Sequence, residues 1–353
     1  MQTCTTHTPD LFLRLFVCSQ VYEDLKWRCK VVRESISSQR KMASEDVIPR
    51  EGMEADRLVA FQRTKSGLVE MDAKAKQEFI NWQRIMRLDA VRINADWVQL
   101  SSSQANISKG VANQLATEVG LRDNILEPSL QHHAARLVSI LEVYALYDPE
   151  IGYCQGMSDL LSPFVAHLDE DYQAFWCFAS FMHAARHNFR MDEEGIKQQL
   201  QTVSRIVKHS DPQLYKHFEK IGAVDCYFIY RMVVVLMRRE LSYEQTVSFW
   251  ETLWADRTAV RLDKVKISCR RGRGKAPPTN DLLLYVIAAA IRQKRRVIMD
   301  NCVCMEEVLE ECNGMSGNLN IWVLLDDARS LIASFHHKVS ADLSNGVLFR
   351  KEG

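Results

Sequence analysis

The sequence predicts an all-α protein, and three observations carry that prediction. Apolar residues return at three- and four-residue steps, helix starts and stops are signalled at the segment ends, and no segment alternates apolar and polar residues as a half-buried strand does. Val21 to Ile36 is read as one helix, and Ser37 to Glu54 is polar and weakly patterned. From about Ala75 the helical pattern is continuous. Leu137, Ile140, Leu141 and Tyr144 share one face within Arg136 to Ala145, and Ile196, Leu200, Val203 and Val207 share another. Ser242 and Gln245 have capping-box spacing and open a helix carrying Val247, Trp250, Leu253 and Trp254. Pro277, Pro278 and Thr279 stop one segment, and the next begins near Asp281. Gly314 and Gly317 close a further helix, and the last runs from about Asn320 to Val339. The chain therefore divides into a divergent or partly disordered lead-in with one helix (1–78), a helical domain (79–340) and a C-terminal tail (341–353).

Lysine plus arginine and aspartate plus glutamate both total 45, so no global field draws the chain to nucleic acid or anionic membrane. A charged partner has to be met by a local patch. The break between Asp256 and Ala276 holds Arg257, Arg261, Lys264, Lys266, Arg270, Arg271, Arg273 and Lys275, and reads either as a solvated loop or as a contact to an acidic partner or anionic lipid. None of the 10 cysteines forms a CxxC pair, and several sit in apolar runs, so a reducing cytosol fits best. The longest apolar stretch, Leu282 to Ile291, falls well short of the roughly 30 Å of a bilayer core. Met1 to Gln20 lacks a basic leader and is interrupted by Arg14, so no secretory signal is read there.

Several chemistries find no motif. There is no GxxxxGK[ST] loop, and Gly272-Arg273-Gly274-Lys275 lacks its spacing; GxGxxG after a strand and GxSxG are also missing. His183 and His187 lie four apart without the glutamate of HExxH, and Cys302 and Cys304 do not share a helical face. Neither a metal nor a cofactor is expected.

Two polar constellations remain. In Met86 to Arg92, Asp89 and Arg92 are three apart, so the aspartate is placed to brace the arginine; a routine surface ion pair has the same spacing. In Ile151 to Asp159, two glycines flank Tyr153, Cys154 and Gln155 after Asp148-Pro149 ends a helix. A glutamine held between glycines is poorly placed for core packing and well placed for presentation to a partner, although a plain helix connector gives the same pattern.

Taken in order, these segments resemble the TBC domain of Rab GTPase-activating proteins. Met86 to Arg92 is similar to the IxxDxxR pattern and Tyr153-Cys154-Gln155 to YCQ, about 60 residues later. Tyr230-Arg231-Met232 resembles the aromatic-Arg-Trp element, Arg239-Glu240-Leu241 the REF stretch, and Trp250 to Trp254 the WxxLW stretch. The resemblance covers roughly residues 80 to 340. It implies a V-shaped all-helical domain that supplies two residues in trans to a GTP-bound Rab-type GTPase, with a cytoplasmic location and a peripheral place on endomembranes, membranes being reached only through the Rab. Arg92 is then the arginine finger and Gln155 the residue that aligns water. Asp89 holds Arg92 or its helix, Tyr153 supports the loop, and Gly156 allows close approach to the nucleotide. Cys154, Asp159 and Arg231 are supporting or partner-binding positions. Two departures favour an alternative, a non-catalytic Rab-binding scaffold. Ile93 follows Arg92 where the family has Thr, and nothing in residues 1 to 80 matches the family's first helix, so Val21 to Arg33 looks like the linker behind it and apolar core surface is expected to be left bare.

Overall fold

The computed structural model describes residues 8–44, 73–92, 98, 102–121, 126–190, 194–262 and 276–348. Among these residues every regular element is a helix and none is a strand, as the spacing predicts. Packing divides the chain into two units, 1–183 and 184–353.

The first unit is organised around one buried helix. Its elements are α1 (Thr8–Ser44), α2 (Ala73–Ala90), α3 (Ser102–Ala105), α4 (Lys109–Glu118), α5 (Pro128–Tyr147), α6 (Met157–His167) and most of α7 (Asp171–Ala185). Proline at the first turn of α5 suits a position whose N–H would be unsatisfied anyway. From His133 to Ala145 every residue of α5 is buried, because α1, α2, α4 and α6 all pack against it. Three of its buried polar side chains, His133, Arg136 and Glu142, have partners on different elements. His133 bridges Gln104 on α3 (2.8 Å) and Ser162 on α6 (3.1 Å). Arg136 donates to the carbonyls of Val165, Leu168 and Asp169, closing the end of α6, and to Asp171 at 2.7 Å. Glu142 takes the third set, described below.

The helix read over Val21–Ile36 is longer, and Val21–Arg33 is its interior rather than a linker. Tyr22, Cys29 and Ile36 are buried, the Tyr22 ring lies 5.3 Å from that of Phe175, and Trp176 Nε1 donates to the Cys18 carbonyl at 2.9 Å. Apolar core surface was expected to be left bare for want of a matching first helix; one side of α5 is covered by α1.

In the second unit, α8 (Glu194–Ser210), α12 (Leu282–Gln293) and α15 (Ile321–Leu348) pack against one another as the core. Ile196, Leu200, Val203 and Val207 form the buried stripe of α8, and Leu282 to Ile291 are all buried. Around them lie α9 (Pro212–Ile221), α10 (Tyr230–Val234), α11 (Tyr243–Arg261), α13 (Arg295–Asn301) and α14 (Met305–Asn313). The capping box at Ser242 forms only by half. Ser242 Oγ accepts from the Gln245 amide, but the Gln245 side chain turns away to accept from the Ile321 amide at 2.9 Å, fixing the start of α15. The break placed after Asp256 begins later, since α11 continues to Arg261. Asp256 is held there by both Nη atoms of Arg329 (2.6 and 2.7 Å) and by the Thr279 amide. Residues 263–275 of the basic segment, and Ile93, lie outside the described residues.

Candidate functional site

The α2 helix ends in a turn that carries Arg92, whose amide donates to the Asp89 carbonyl at 3.1 Å. The Arg92 side chain is exposed, while Asp89 one turn back is buried. The three-residue spacing predicts an ion pair between them, but the Asp89 carboxylate instead accepts from the Tyr153 hydroxyl at 2.8 Å. The reason is burial. A carboxylate on the inner face of α2 satisfies itself with a donor from the packed loop and leaves the solvent-facing guanidinium outside.

That loop runs from the end of α5 to the start of α6. Asp148 stops α5, with its amide on the Tyr144 carbonyl, and Gly152 (φ +60°) and Gly156 (φ +99°) take left-handed conformations on either side of Tyr153–Gln155. Gly152 is required for a second reason. A Cβ at this position would sit 2.1 Å from Cζ2 of Trp82, so the indole on α2 presses directly on the loop backbone. Gln155 is exposed at the tip, and Cys154 is half-buried, with its amide directed at Met157 Sδ (3.4 Å). Asp159 and Ser158 are buried in the first turn of α6.

Electrostatics reinforce the join. Burial pushes the Tyr153 phenol well above its ordinary value, with the Asp89 charge acting in the same direction, so it remains a donor at neutral pH; Ser158 hydrogen-bonds it and opposes the shift, and Asp159 adds to it. Burial likewise raises the Cys154 thiol, which stays protonated and unsuited to nucleophilic attack. Among the described residues no three His, Cys, Asp or Glu side chains are grouped to hold a metal ion, and no helix is long and apolar enough to cross a membrane.

The structure therefore brings Asp89, Tyr153, Asp159 and the two glycines together under the turns of Arg92 and Gln155. Arg231 is different. It belongs to the second unit, where its Nε and Nη2 donate to Glu240 Oε1 at 3.1 and 2.7 Å. Glu240 is fully buried, and burial raises its carboxyl while Arg231, its side chain 32% exposed, holds it down. Met232, standing where a tryptophan is typical of the resembling motif, is buried.

Three participants escaped the reading of the sequence: Trp82, Gln83 and Glu142. Gln83 Nε2 donates to Glu142 Oε1 at 2.8 Å, and Arg33 Nη1 on α1 donates to Glu142 Oε2 at 2.6 Å. Burial raises the Glu142 carboxyl, opposed by Arg33, Arg87 and Gln83. The signal available was a glutamate inside the apolar run Leu137–Ala145, a place where a charge needs dedicated partners.

Comparison with known proteins agrees with the motifs. A family model described as the Rab-GTPase-TBC domain matches residues 98–268, a span that includes the Gln155 loop and Arg231 and begins just after Arg92. The Rab GTPase-activating protein 22 of Arabidopsis thaliana is 53% identical over 272 residues, which make up 77% of this chain and 49% of that protein. The GTPase-activating protein GYP7 of Debaryomyces hansenii is 31% identical over 216 residues, 61% of this chain and 25% of that protein. The chain thus spans about half the length of the plant relative and a quarter of the yeast one. Among solved structures, the Ypt/Rab-GAP domain of Gyp1p aligns with a TM-score of 0.46 at 18% identity, covering 76% of this chain and 83% of that one. With both motifs present in order, a family-model match over residues 98–268 and a plant relative identical at 53% of the aligned positions, the chain is similar to TBC domain Rab GTPase-activating proteins.

Proposed function

We propose that the chain stimulates GTP hydrolysis on a GTP-bound Rab-type GTPase by lending it Arg92 and Gln155. As γ-phosphoryl transfer proceeds, charge shifts onto the equatorial and leaving oxygens, and catalysis consists mostly of positioning and charge stabilisation. An inserted guanidinium is always ionised and offers a rigid fork of donors matched to phosphate oxygens, which a lysine does not reproduce. A carboxamide both donates and accepts, so Gln155 is suited to orient the attacking water. Asp89, Tyr153, Gly156, Cys154 and Asp159 serve in this reading as the frame under the two turns. Arg231 serves as a brace of the second unit. Recruitment to an endomembrane then follows from the Rab, and the protein is otherwise cytoplasmic.

The observation that carries the reading is the Tyr153–Asp89 hydrogen bond, which ties the turn of exposed Arg92 to the turn of exposed Gln155. The test is phosphate release from a panel of GTP-loaded Rabs. Arg92→Ala is expected to lower turnover by about 10³-fold or more, the range of finger arginines, with circular dichroism and melting unchanged. Gln155→Ala is expected to remove most of the stimulation. Binding to GTP-loaded Rab without any acceleration overturns the proposal in favour of a Rab-binding scaffold, and failure to bind any Rab overturns both.

A further inference from the structure

We propose that Glu142 is a positioning residue for the hydrolysis reaction: it locks the Arg92 helix and the Gln155 loop into one register and places that register under the control of α1. The inference rests on the roles given above to Arg92 and Gln155.

Glu142 lies less than two turns before the end of α5, and the Gln155 loop follows directly. Its carboxylate is fully buried, and each oxygen is taken by a different helix: Oε1 by Gln83 of α2 at 2.8 Å, Oε2 by Arg33 of α1 at 2.6 Å. Within the packing of α2 against α5 and its loop, three contacts bear on the site: Gln83 on Glu142, Trp82 on Gly152 and Asp89 under Tyr153. The last two are local to the loop. The first is the directional contact that fixes the helix axes, and an apolar contact in its place permits sliding that hydrogen bonds forbid.

The Arg33 side chain is 22% exposed, so it closes the buried carboxylate from the outer side. Without it, Glu142 keeps a buried charge with one neutral donor, Gln83, and the charge of Arg87, which donates elsewhere to the Val119 carbonyl. The accessible relaxation is for α2 and α5 to part and admit water, which moves the Arg92 turn relative to the Gln155 loop. Misplacement by about 1 Å is enough to cost up to roughly 100-fold in rate. A change in α1 is thus felt at the reacting phosphate through a single carboxylate.

The experiment uses the full chain and a Rab that wild type stimulates. Arg33→Met, Gln83→Met and Glu142→Gln are compared with Arg33→Lys, by turnover at saturating Rab, by KM, and by amide hydrogen exchange. Arg33→Met is expected to lower kcat about tenfold, or ~1.4 kcal/mol on the barrier, with KM within about twofold. Exchange should quicken in peptides covering 86–92 and 150–157, while those covering 196–207 and 282–291 keep wild-type protection. Arg33→Lys, which still reaches one oxygen, is expected to recover at least half of the rate. An unchanged kcat in folded Arg33→Met overturns the proposal, and so does quickened exchange throughout the chain. If Arg33→Met does not fold, Gln83→Met, which removes only a neutral donor, decides the same question. The underlying reading is judged separately: if Arg92→Ala is as active as wild type, that reading fails whatever Glu142 does, and the exchange arm still shows whether Glu142 sets the register.

Discussion

Gly152→Ala is the substitution whose cost the structure fixes most closely. The added Cβ would lie 2.1, 2.4 and 2.5 Å from three ring atoms of Trp82, distances at which something has to move. The indole is rigid, so it has to rotate outwards or the loop has to lift. Overpacking of this kind costs about 1–3 kcal/mol. The left-handed backbone at φ +60° adds ~1–2 kcal/mol for a residue with a Cβ. Together these give ~2–5 kcal/mol, a large part of the roughly 5–15 kcal/mol that holds a domain folded. Urea unfolding followed by circular dichroism measures the loss, and a double-mutant cycle with Trp82→Ala divides it. In the Trp82→Ala background the steric part is gone, and Gly152→Ala should cost only the backbone part of ~1–2 kcal/mol. Equal cost in both backgrounds, or a cost below about 0.5 kcal/mol in the wild-type background, refutes the claim that the indole sets the loop against α2.

Other substitutions separate the frame from the presented side chains. Tyr153→Phe removes the donor from buried Asp89 and should cost ~1.5–3 kcal/mol by urea unfolding, with a parallel loss of Rab stimulation. The same variant tests pH dependence. The Tyr153 phenol is raised in the folded state, so its contribution is fully present below its ordinary value of 10.0 and is lost as pH rises through the higher folded value; wild type should lose more stability than Tyr153→Phe on going above pH 10.0. Arg231→Ala should leave buried Glu240 without its ion-pair partner, with only the Arg239 charge and a backbone hydrogen bond to offset burial, and cost up to about 3 kcal/mol, with Arg231→Ala/Glu240→Gln recovering part of it in thermal melts. A kinetic defect from Arg231→Ala at full stability contradicts its role as a brace.

Helix identity and the apolar stripes were legible because period alone determines them: Ile196, Leu200, Val203 and Val207 face inward on α8 as their spacing requires. Partner choice was not. Ser242 and Gln245 have the spacing of a reciprocal cap, yet Gln245 serves the distant amide of Ile321, because tertiary packing offered an orphan donor that the local rule does not see. Asp89 and Arg92 have the spacing of an ion pair, yet burial gave Asp89 to Tyr153. The same limit hid the packing of α1, whose helical core over Val21–Ile36 was legible. Among its described side chains the buried positions, Tyr22, Cys29 and Ile36, are spaced by seven, a thin stripe that reads as weak amphipathicity until the neighbouring helix is known. Local spacing names the candidates, and long-range contact assigns their partners.

The site divides labour between what is presented and what is buried. Arg92 and Gln155 are exposed on turns, while Asp89, Tyr153, Ser158 and Asp159 immediately beside them are buried. An exposed guanidinium contributes little to folding, so the fold neither depends on it nor restrains it through an ion pair with Asp89. In the proposed reading its desolvation is deferred to the encounter with a charged partner, where phosphate oxygens would supply the compensation that water supplied before. The price of accuracy is met underneath, where a phenol and a carboxylate bond directionally in a dry setting and a glycine lets an indole close on the loop. A rate defect without a stability defect is therefore the signature of the two exposed residues, and a coupled loss of both is the signature of the frame.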